Sequence, residues 1–201
     1  MEQVKGYYKR FVNEGFDENG ILNKFELNCP DNYNFGYDII DKYGEIEPDR
    51  PALLHVDLQG NETRFSYKQL SELSTKAANL FTSLGIRKGD KVMLVLKRNY
   101  QFWYAIIGLT KIGAVAIPAT HLLTTHDFTY RFTSAGVKAI ICTGHNPDIE
   151  GYVEEAETEL GITLTKLIAN GKRDGWVNFD EEIEKQPATM ERIATDSHDH
   201  M

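Results

Sequence analysis

Hydrophobic residues from Tyr67 onward alternate between a helical and a strand period. Residues 65–85, FSYKQLSELSTKAANLFTSLG, place apolar side chains three and four positions apart, which is typical of an amphipathic helix. Ser66 is predicted as its N-cap with Gln69 in the capping-box position, and Gly85 as its stop. The predicted buried stripe consists of Leu70, Leu73, Ala77, Leu80, Phe81 and Leu84.

Short apolar runs follow, and such runs are typical of strands buried on both faces of a sheet. They are KVMLVL (91–96), AVAI (114–117), KAIICT (138–143) and LTKLIAN (164–170). Helices are predicted between and after them, with N-caps at Asn99, Thr124, Asn146 and Asn178. Gly136 and Gly161 are predicted to end two of these helices. Strand and helix thus alternate four times, which predicts an α/β fold: a mostly parallel sheet with helices on both faces.

Residues 1–47 lack this alternation and are predicted to form a helical and loop extension. It contains a helix near the start, a loop around DENGILNKFELNCPDNYNFG and a second helix, NFGYDIIDKYG. PALLHVD and ETRFS, separated by the turn LQGN, are predicted to form a hairpin. Residues 48–201 make up the α/β unit. The polar tail ATDSHDHM supplies no closing helix or strand, so we expect the chain to be part of a longer protein.

Net charge and cysteine usage limit the classes of binding partner and the cellular location that we expect for this protein. The formal net charge of −8 argues against nucleic acid as the main partner, because such binding needs clustered Lys and Arg. Cys29 and Cys142 lie far apart, which argues against a disulfide framework and favours a reducing, cytoplasmic setting. The first residues contain no apolar core of a secretory signal. Residues 102–119 are nearly continuous in apolar side chains, but Lys111, Pro118 and two glycines favour a buried helix and strand over a membrane span.

The stretch GLTKIGAVAIPAT (108–120) raises the question of a phosphate loop, because Gly108 and Gly113 lie five positions apart. A P-loop needs a strand before it and Lys-Ser/Thr directly after it. Here a helix precedes and Ala114 and Val115 follow. The glycines are therefore interpreted as a close-packing point and a helix stop. The preceding helix, from about Tyr100 to Ile112, is predicted to turn four residues inward: Trp103, Ile106, Ile107 and Thr110.

Metal-ligand and nucleophile patterns are incomplete. Cys142 and His145 have the spacing of one ligand pair, but no second pair accompanies them, and zinc needs at least three protein ligands. His198 and His200 lie in the polar tail and are predicted to be solvated. His121 lies in the loop after a predicted parallel strand, where α/β proteins place ligands, and is a candidate contact residue. No Gly-x-Ser-x-Gly elbow is present. A run of four glutamates is predicted to form a solvated helix face: Glu154, Glu155, Glu157 and Glu159.

Two motifs in order resemble the opening of the adenylate-forming acyl-activating enzymes, the AMP-binding superfamily. FSYKQL (65–70) matches the aromatic-Ser/Thr-Tyr-x-x-Leu segment that starts a long helix, and LTKIGAVAIPAT (109–120) matches the second motif. NFGYDIIDKYG and NGKRDGWVNFDEEI are similar to segments of the acetyl-CoA-synthetase-like and medium-chain acid–CoA ligases. The resemblance runs from about Asn32 to the end, which identifies residues 48–201 as a truncated N-terminal α/β subdomain of that fold.

The resemblance implies a two-step reaction of the parent enzyme. A short- or medium-chain carboxylate attacks the α-phosphate of ATP with Mg²⁺ bound, and CoA then displaces AMP from the acyl-adenylate. The family grips the phosphates with a Ser/Thr/Gly-rich loop ending in Pro-Lys and carries a catalytic Lys in a mobile C-terminal domain. Neither occurs in these 201 residues. No catalytic residue or metal ligand is therefore assigned, and we expect this chain alone to be inactive and to bind ATP, CoA and Mg²⁺ weakly.

The resemblance also implies that Thr120, His121 and Leu122 lie beside the tunnel through which CoA reaches the adenylate. The same residues could equally form a loop that only caps the sheet. Relatives carry basic residues for the CoA phosphate a little further on, whereas GHNPDIEG (144–151) has no Lys or Arg. The alternative function is a non-catalytic α/β module that binds a ligand or partner, and an incomplete sheet edge would favour homo-oligomers.

Overall fold

The computed structural model describes residues 6–200 of the chain, which contain nine strands and six α-helices. The strands are β1 (Val12–Phe16), β2 (Leu22–Leu27), β3 (Pro51–Val56), β4 (Glu62–Ser66), β5 (Lys91–Val95), β6 (Val115–Pro118), β7 (Val137–Thr143), β8 (Thr165–Ala169) and β9 (Val177–Asn178). The helices are α1 (Lys42–Ile46), α2 (Tyr67–Ser83), α3 (Gln101–Ile112), α4 (Thr125–Ala135), α5 (Pro147–Leu160) and α6 (Phe179–Glu184).

The centre of the molecule is a five-stranded sheet in the order β6-β5-β7-β8-β9, and every neighbouring pair is parallel. Successive strand residues point to opposite faces. Val92 and Leu94 face the core formed with α2, α3 and α6, whereas Met93 and Val95 face α4 and α5. The predicted α/β architecture with helices on both faces is confirmed. AVAI is shifted by one residue and forms the edge strand β6, which is only half-buried.

The predicted helix signals at Ser66, Thr124 and Asn178 are confirmed, whereas the Asn146 side chain makes no capping hydrogen bond. The Ser66 Oγ accepts from the Gln69 N–H at 3.3 Å, and the Gln69 side chain accepts from the Ser66 N–H at 2.9 Å. Asn178 caps α6 by accepting from the Glu181 N–H at 3.0 Å. Gly113, Gly136 and Gly161 follow the last residues of α3, α4 and α5 with φ between 62° and 70°, a conformation that favours glycine.

The beginning of the chain differs from the prediction of a helix followed by a loop. A 3₁₀ turn at Tyr7–Arg10 precedes an antiparallel hairpin of β1 and β2. The Asp17 carboxylate accepts from the N–H groups of Asn19 and Ile21, both at 2.9 Å, and Gly20 adopts φ 76°. These contacts form a hairpin turn. The helix predicted in NFGYDIIDKYG is present, as a π-helical segment (Gly36–Asp41) that continues into α1.

The face of α3 was also predicted incorrectly in part. Trp103, expected inside, is 49% exposed, whereas Tyr104 and Lys111 are buried. Tyr100 occupies the N-cap position without a side-chain hydrogen bond, and the Asn99 side chain instead donates to the Leu96 carbonyl at 2.8 Å. Gly108 is the predicted close-packing point: a Cβ there would lie 2.9 Å from the Ser74 carbonyl oxygen of α2.

The buried Lys111 joins three parts of the chain. Its ammonium donates to the carboxylate of Asp41 at 2.7 Å, to the Thr75 hydroxyl at 2.7 Å and to the Ser71 carbonyl at 3.2 Å. Burial lowers its pKa, and the Asp41 charge opposes that shift. The π-helical segment is thereby fixed against α2 and α3. Across residues 6–200, no helix combines the length and apolar content that crossing a bilayer would need.

Candidate functional site

The candidate site is the edge of the sheet where the parallel strands end. Because all five strands run in one direction, the loops after β5, β6, β7 and β8 come together there. Ligands of open α/β sheets bind outside the carboxyl ends of the strands.

The loop after β6 contains the three residues predicted to face CoA. Leu122 is 74% exposed, Thr120 is exposed and His121 is half-buried. The Thr120 hydroxyl accepts from the Leu122 N–H at 3.3 Å, which shapes the turn. The His121 carbonyl accepts from the Asn146 side chain, in the loop after β7, at 3.2 Å. The structure thus brings the two loops together, whereas a contact of these residues with CoA stays a prediction.

The ends of β5 and β7 are joined by side chains that the sequence did not single out for this role. The Asn99 amide donates to the Thr143 hydroxyl at 3.1 Å, and the same hydroxyl accepts from the His145 N–H at 3.4 Å. Lys97 adopts φ 52°, an uncommon conformation for a residue with a side chain. His145 is exposed, and Cys142, which has ligand-pair spacing with it in the sequence, is buried in the sheet. Burial raises the pKa of the Cys142 thiol, which keeps it protonated and inert.

A buried amide network lies at the end of β8. The Gln101 side chain donates to the Asn170 side-chain oxygen at 2.8 Å and to the Asp180 carboxylate at 3.0 Å. That carboxylate also accepts from the Asn170 N–H at 2.6 Å. Gln101 is 1% exposed, and Asn170 adopts φ 54°. The network ties the first turns of α3 and α6 to β8, so it holds the edge of the sheet rigid.

Sequence reasoning missed this network because Gln101 lies 69 and 79 residues from its partners Asn170 and Asp180. The one available signal is positional: each polar residue directly follows a strand or lies in the first turn of a helix. Within residues 6–200, the Gln101 Oε1 and Asn170 Nδ2 atoms are buried without a hydrogen-bond partner. A buried water molecule is the usual partner for such atoms.

The glutamate run on α5 is not the fully solvated face that was predicted. Glu157 is 7% exposed and accepts from the Leu164 N–H at 2.6 Å and from Lys166 at 2.5 Å. Glu154 accepts from Arg173 at 2.8 Å and from the Trp176 indole at 2.8 Å. The Arg173 hydrogen bond lowers the pKa of Glu154. The prediction failed because the start of β8 packs against Glu157 and the loop after β8 folds back onto Glu154.

Glu155 and Glu159 are exposed, as predicted. Their carboxylates accept from the hydroxyls of Thr125 and Thr129 on α4, at 2.6 and 3.0 Å. The tail residues His198 and His200 are exposed as well. In the described part of the chain, no three His, Cys, Asp or Glu side chains converge in a way that could hold a metal ion.

Comparison with known proteins identifies the family. The model of the family described as AMP-binding enzyme matches residues 40–200. Acyl-coenzyme A synthetase ACSM4, mitochondrial, of Rattus norvegicus is 30% identical over 192 residues, which are 92% of this chain and 33% of the relative. Acyl-coenzyme A synthetase ACSM3, mitochondrial, of Homo sapiens is 31% identical over 181 residues, 87% of this chain and 29% of the relative. The chain thus spans about a third of the length of the curated relatives it matches.

Solved structures show the same fold. The acyl-CoA synthetase of Brucella canis superposes with a TM-score of 0.73 at 22% identity, over 86% of this chain and 31% of that one. The anthranilate CoA ligase AuaEII, solved with anthranoyl-AMP, superposes with a TM-score of 0.72 at 21% identity, over 85% and 31%. At these identities the likeness shows the fold alone.

The comparisons overturn one expectation and confirm another. The cytoplasmic location expected from cysteine usage is wrong, since the relatives are named as mitochondrial proteins. A reducing environment, which is all that two separated cysteines indicate, does not distinguish one compartment from another. The resemblance carried by FSYKQL and LTKIGAVAIPAT is confirmed. Because the family model covers well over half of the chain, this protein belongs to the AMP-binding enzymes.

Proposed function

We propose that this chain is the N-terminal part of an AMP-forming acid–CoA ligase. The parent enzyme would activate a short- or medium-chain carboxylic acid with ATP to an acyl-adenylate and transfer the acyl group to CoA. The observation that carries the proposal is the family match over residues 40–200, supported by relatives that are named acyl-coenzyme A synthetases.

The residues of this chain do not fit the ATP and Mg²⁺ part of the reaction. Transfer at the α-phosphate needs dense backbone N–H donors, lysine and metal around the phosphates. The carboxyl edge of the sheet offers amides, hydroxyls and the exposed Lys97, but the described residues contain no group of three His, Cys, Asp or Glu that could hold a metal. We therefore derive no chemical step within this chain and propose that its role is to supply a rigid wall of the CoA and adenylate site.

The loop after β6 is the part of that wall proposed to contact CoA. Thr120 and Leu122 are exposed at the end of an edge strand, and in the described residues the His121 imidazole makes no hydrogen bond of its own. Asn146 fixes the His121 backbone, so the loop has a defined shape while its side chains stay available. An apolar side chain at 122 beside a polar one at 120 suits the mixed amide and methylene character of pantetheine.

A test in the full-length enzyme separates this contact from a purely structural role. Leu122→Trp is expected to raise the KM for CoA at least severalfold while pyrophosphate exchange, which reports adenylate formation alone, stays unchanged. Leu58→Trp is the matched control, because Leu58 is 97% exposed in the turn between β3 and β4, which is not one of the loops that follow the parallel strands. Equal effects of the two variants on the KM for CoA would remove the loop from the proposed CoA path.

The proposal also states that these 201 residues alone do not turn over. Incubation with ATP, CoA and a panel of short to medium fatty acids is expected to release no pyrophosphate. Turnover by this chain alone would refute that part. DNA sequence beyond the codon for residue 201 tests the parent: a Ser/Thr/Gly-rich stretch followed by Pro-Lys supports the ligase, whereas a stop codon supports a non-catalytic α/β module.

A further inference from the structure

The outer strand of the N-terminal hairpin has an open edge. All six residues of β2 are exposed, whereas three of the five residues of β1 are half-buried. β1 therefore lies toward the body of the molecule. Within residues 6–200, β1 is the strand that pairs with β2, and no other does. An open edge of this kind is a template for pairing with another chain.

Strand β2 carries Phe25 and its two charged residues on opposite faces, although Glu14 of β1 pairs with Phe25 and shares the Phe25 face. Phe25 and Leu27 lie two positions apart on one face and are 57% and 69% exposed. Lys24 and Glu26 lie on the other face, with the ammonium 3.1 Å from the carboxylate. A two-stranded hairpin with exposed apolar side chains is only marginally stable in water. Pairing with a further strand would therefore stabilise the hairpin.

The backbone of Phe25 is free to make that contact. The Asn28 N–H donates to the Phe11 carbonyl at 2.8 Å, directly beside the pair Val12 and Leu27. In an antiparallel ladder, alternate residues point toward the neighbouring strand. Glu26 and Lys24 then direct their N–H and C=O groups toward β1, and Phe25 directs its groups outward.

We propose that the occupant of this edge is β2 of a second copy of the chain, paired antiparallel about a twofold axis at Phe25. The axis brings the same strand of both copies together in opposite directions, as a closed homodimer requires. The outward N–H and C=O groups of Phe25 exchange two hydrogen bonds, and the two Phe25 rings lie opposite each other on the apolar face.

The charges of Lys24 and Glu26 favour this register over those in which the axis is moved by one residue. With Phe25 on the axis, Lys24 lies opposite Glu26 of the second copy, and the same contact occurs twice. Moving the axis to Lys24 or to Glu26 places two like charges directly opposite, which is destabilising. Sliding one strand by a single residue relative to the other would place apolar residues opposite charged ones on each face.

The test is sedimentation velocity of the 201-residue chain over a range of concentrations, with two charge reversals. The wild-type chain is expected to show a monomer–dimer equilibrium. K24E makes the polar face of β2 acidic at both positions and E26K makes it basic at both, so each is expected to raise the dimer dissociation constant about tenfold or more. An equimolar mixture of the two variants is expected to dimerise again, since an acidic strand then faces a basic one.

E18K is the matched control, because Glu18 is exposed in the hairpin turn and the substitution changes net charge as E26K does. It is expected to leave the dissociation constant unchanged. A wild-type chain that stays monomeric throughout would overturn the proposal, and so would a dimer that K24E and E26K leave intact. Failure of the mixed variants to associate would count against it equally, since the mixture restores every charge contact.

Discussion

At the scale of single residues, the Asp41–Lys111 pair controls how the N-terminal segment is held. Lys111 is completely buried, whereas the Asp41 side chain is 25% exposed. Both groups have further partners: Thr75 and the Ser71 carbonyl for the ammonium, and the Ser71 hydroxyl for the carboxylate at 2.6 Å. Breaking a buried pair is costly for the partner that stays buried and charged.

Asp41→Asn is therefore expected to lower the free energy of unfolding by roughly 3 kcal/mol, because it leaves the Lys111 ammonium buried without a counter-charge. Lys111→Met keeps the volume of the stem and leaves Asp41 within reach of water. We expect it to cost only about 1 kcal/mol. Urea unfolding of both variants measures the difference, and a larger loss for Lys111→Met would contradict this account.

Glu154 gives a pH dependence with a defined sign. Its hydrogen bond with Arg173 lowers its pKa in the folded state below the ordinary value of 4.5. The unfolded chain then binds this proton more readily, so the contact stabilises the fold above pH 4.5 and is lost as the pH falls through the lowered pKa. The stability difference between the wild type and Glu154→Gln is expected to shrink from pH 6 to pH 3. A constant difference in urea unfolding would argue against it.

Some residue roles could be read from the sequence and others could not. Ser66, Gly113 and Asn178 act through groups within a few residues, so local spacing predicts them. Gln101 and Lys111 act through partners about 70 residues away, which only the packed structure brings near. For the same reason the position of the β6 loop could be predicted from the sequence, but the amide network at the end of β8 could not.

At the scale of secondary-structure elements, the contribution of the capping box at the N-terminus of α2 can be compared with that of a serine at the C-terminus of the same helix. Ser66→Ala removes the acceptor for the Gln69 N–H and is expected to cost about 1 kcal/mol. Ser83→Ala is the matched control, since the Ser83 hydroxyl only donates to the Leu80 carbonyl at the last residue of the helix. It is expected to cost a few tenths of a kcal/mol or less. Equal losses in thermal or urea unfolding would remove the special role of the cap.

Replacing each of two glycines inside helices by alanine is expected to change the stability of the protein in opposite directions. At Gly108, a Cβ would lie 2.9 Å from the Ser74 carbonyl oxygen and 3.0 Å from the Ala78 nitrogen, so α2 would have to move. Gly108→Ala is expected to cost about 2 kcal/mol from overpacking. At Gly151 in α5 a Cβ meets nothing within 4 Å. Gly151→Ala is expected to stabilise the protein by about 0.5 kcal/mol. Denaturant midpoints that move in the same direction for both would contradict the packing argument.

The elements of the sheet were predictable because solid apolar runs and helix caps are local signals. The hairpin of β1 and β2 was not, because its strands are exposed and carry charges, so the apolar alternation in ILNKFEL is weak. The Asp17 turn that forms it has a recognisable sequence, DENG, and was the missed signal. The buried face of α3 was predicted partly wrongly because α2 and the N-terminal segment also pack against this helix. The sheet alone therefore does not decide which side of α3 is buried.

At the scale of the whole molecule, residues 185–199 form a strap that returns from α6 across the helices. The strap contains no helix or strand, yet Thr195 is 7% exposed. Arg192 donates to both oxygens of Asp38 at 2.7 Å. The fully buried Asn34 donates to the Thr110 carbonyl at 2.7 Å and to the Thr195 hydroxyl at 3.1 Å. The strap therefore closes the N-terminal segment against α3.

Asn34→Ala is expected to loosen the strap, because it removes both contacts and leaves the buried Gly36 N–H without the Asn34 oxygen that accepts from it at 3.0 Å. We expect a loss of about 2 kcal/mol and faster cleavage by trypsin at Arg192. Asn23→Ala, on the exposed strand β2, is the control and is expected to change neither. Unchanged cleavage at Arg192 in Asn34→Ala would show that the strap is held by other contacts.

The strap also imposes an order on the folding of the chain during its synthesis at the ribosome. Asn34 and Thr195 are 161 residues apart, so the N-terminal segment leaves the ribosome long before the residue that completes its hydrogen bonds. Chains fold from the N-terminus as they emerge, and contacts of large sequence separation form last. The segment around Asn34 can reach Thr110 earlier, but it lacks its contact with the strap until the sheet has assembled. A nascent chain arrested before residue 195 should expose that segment to proteases and chaperones, and its release should protect it in a single late step.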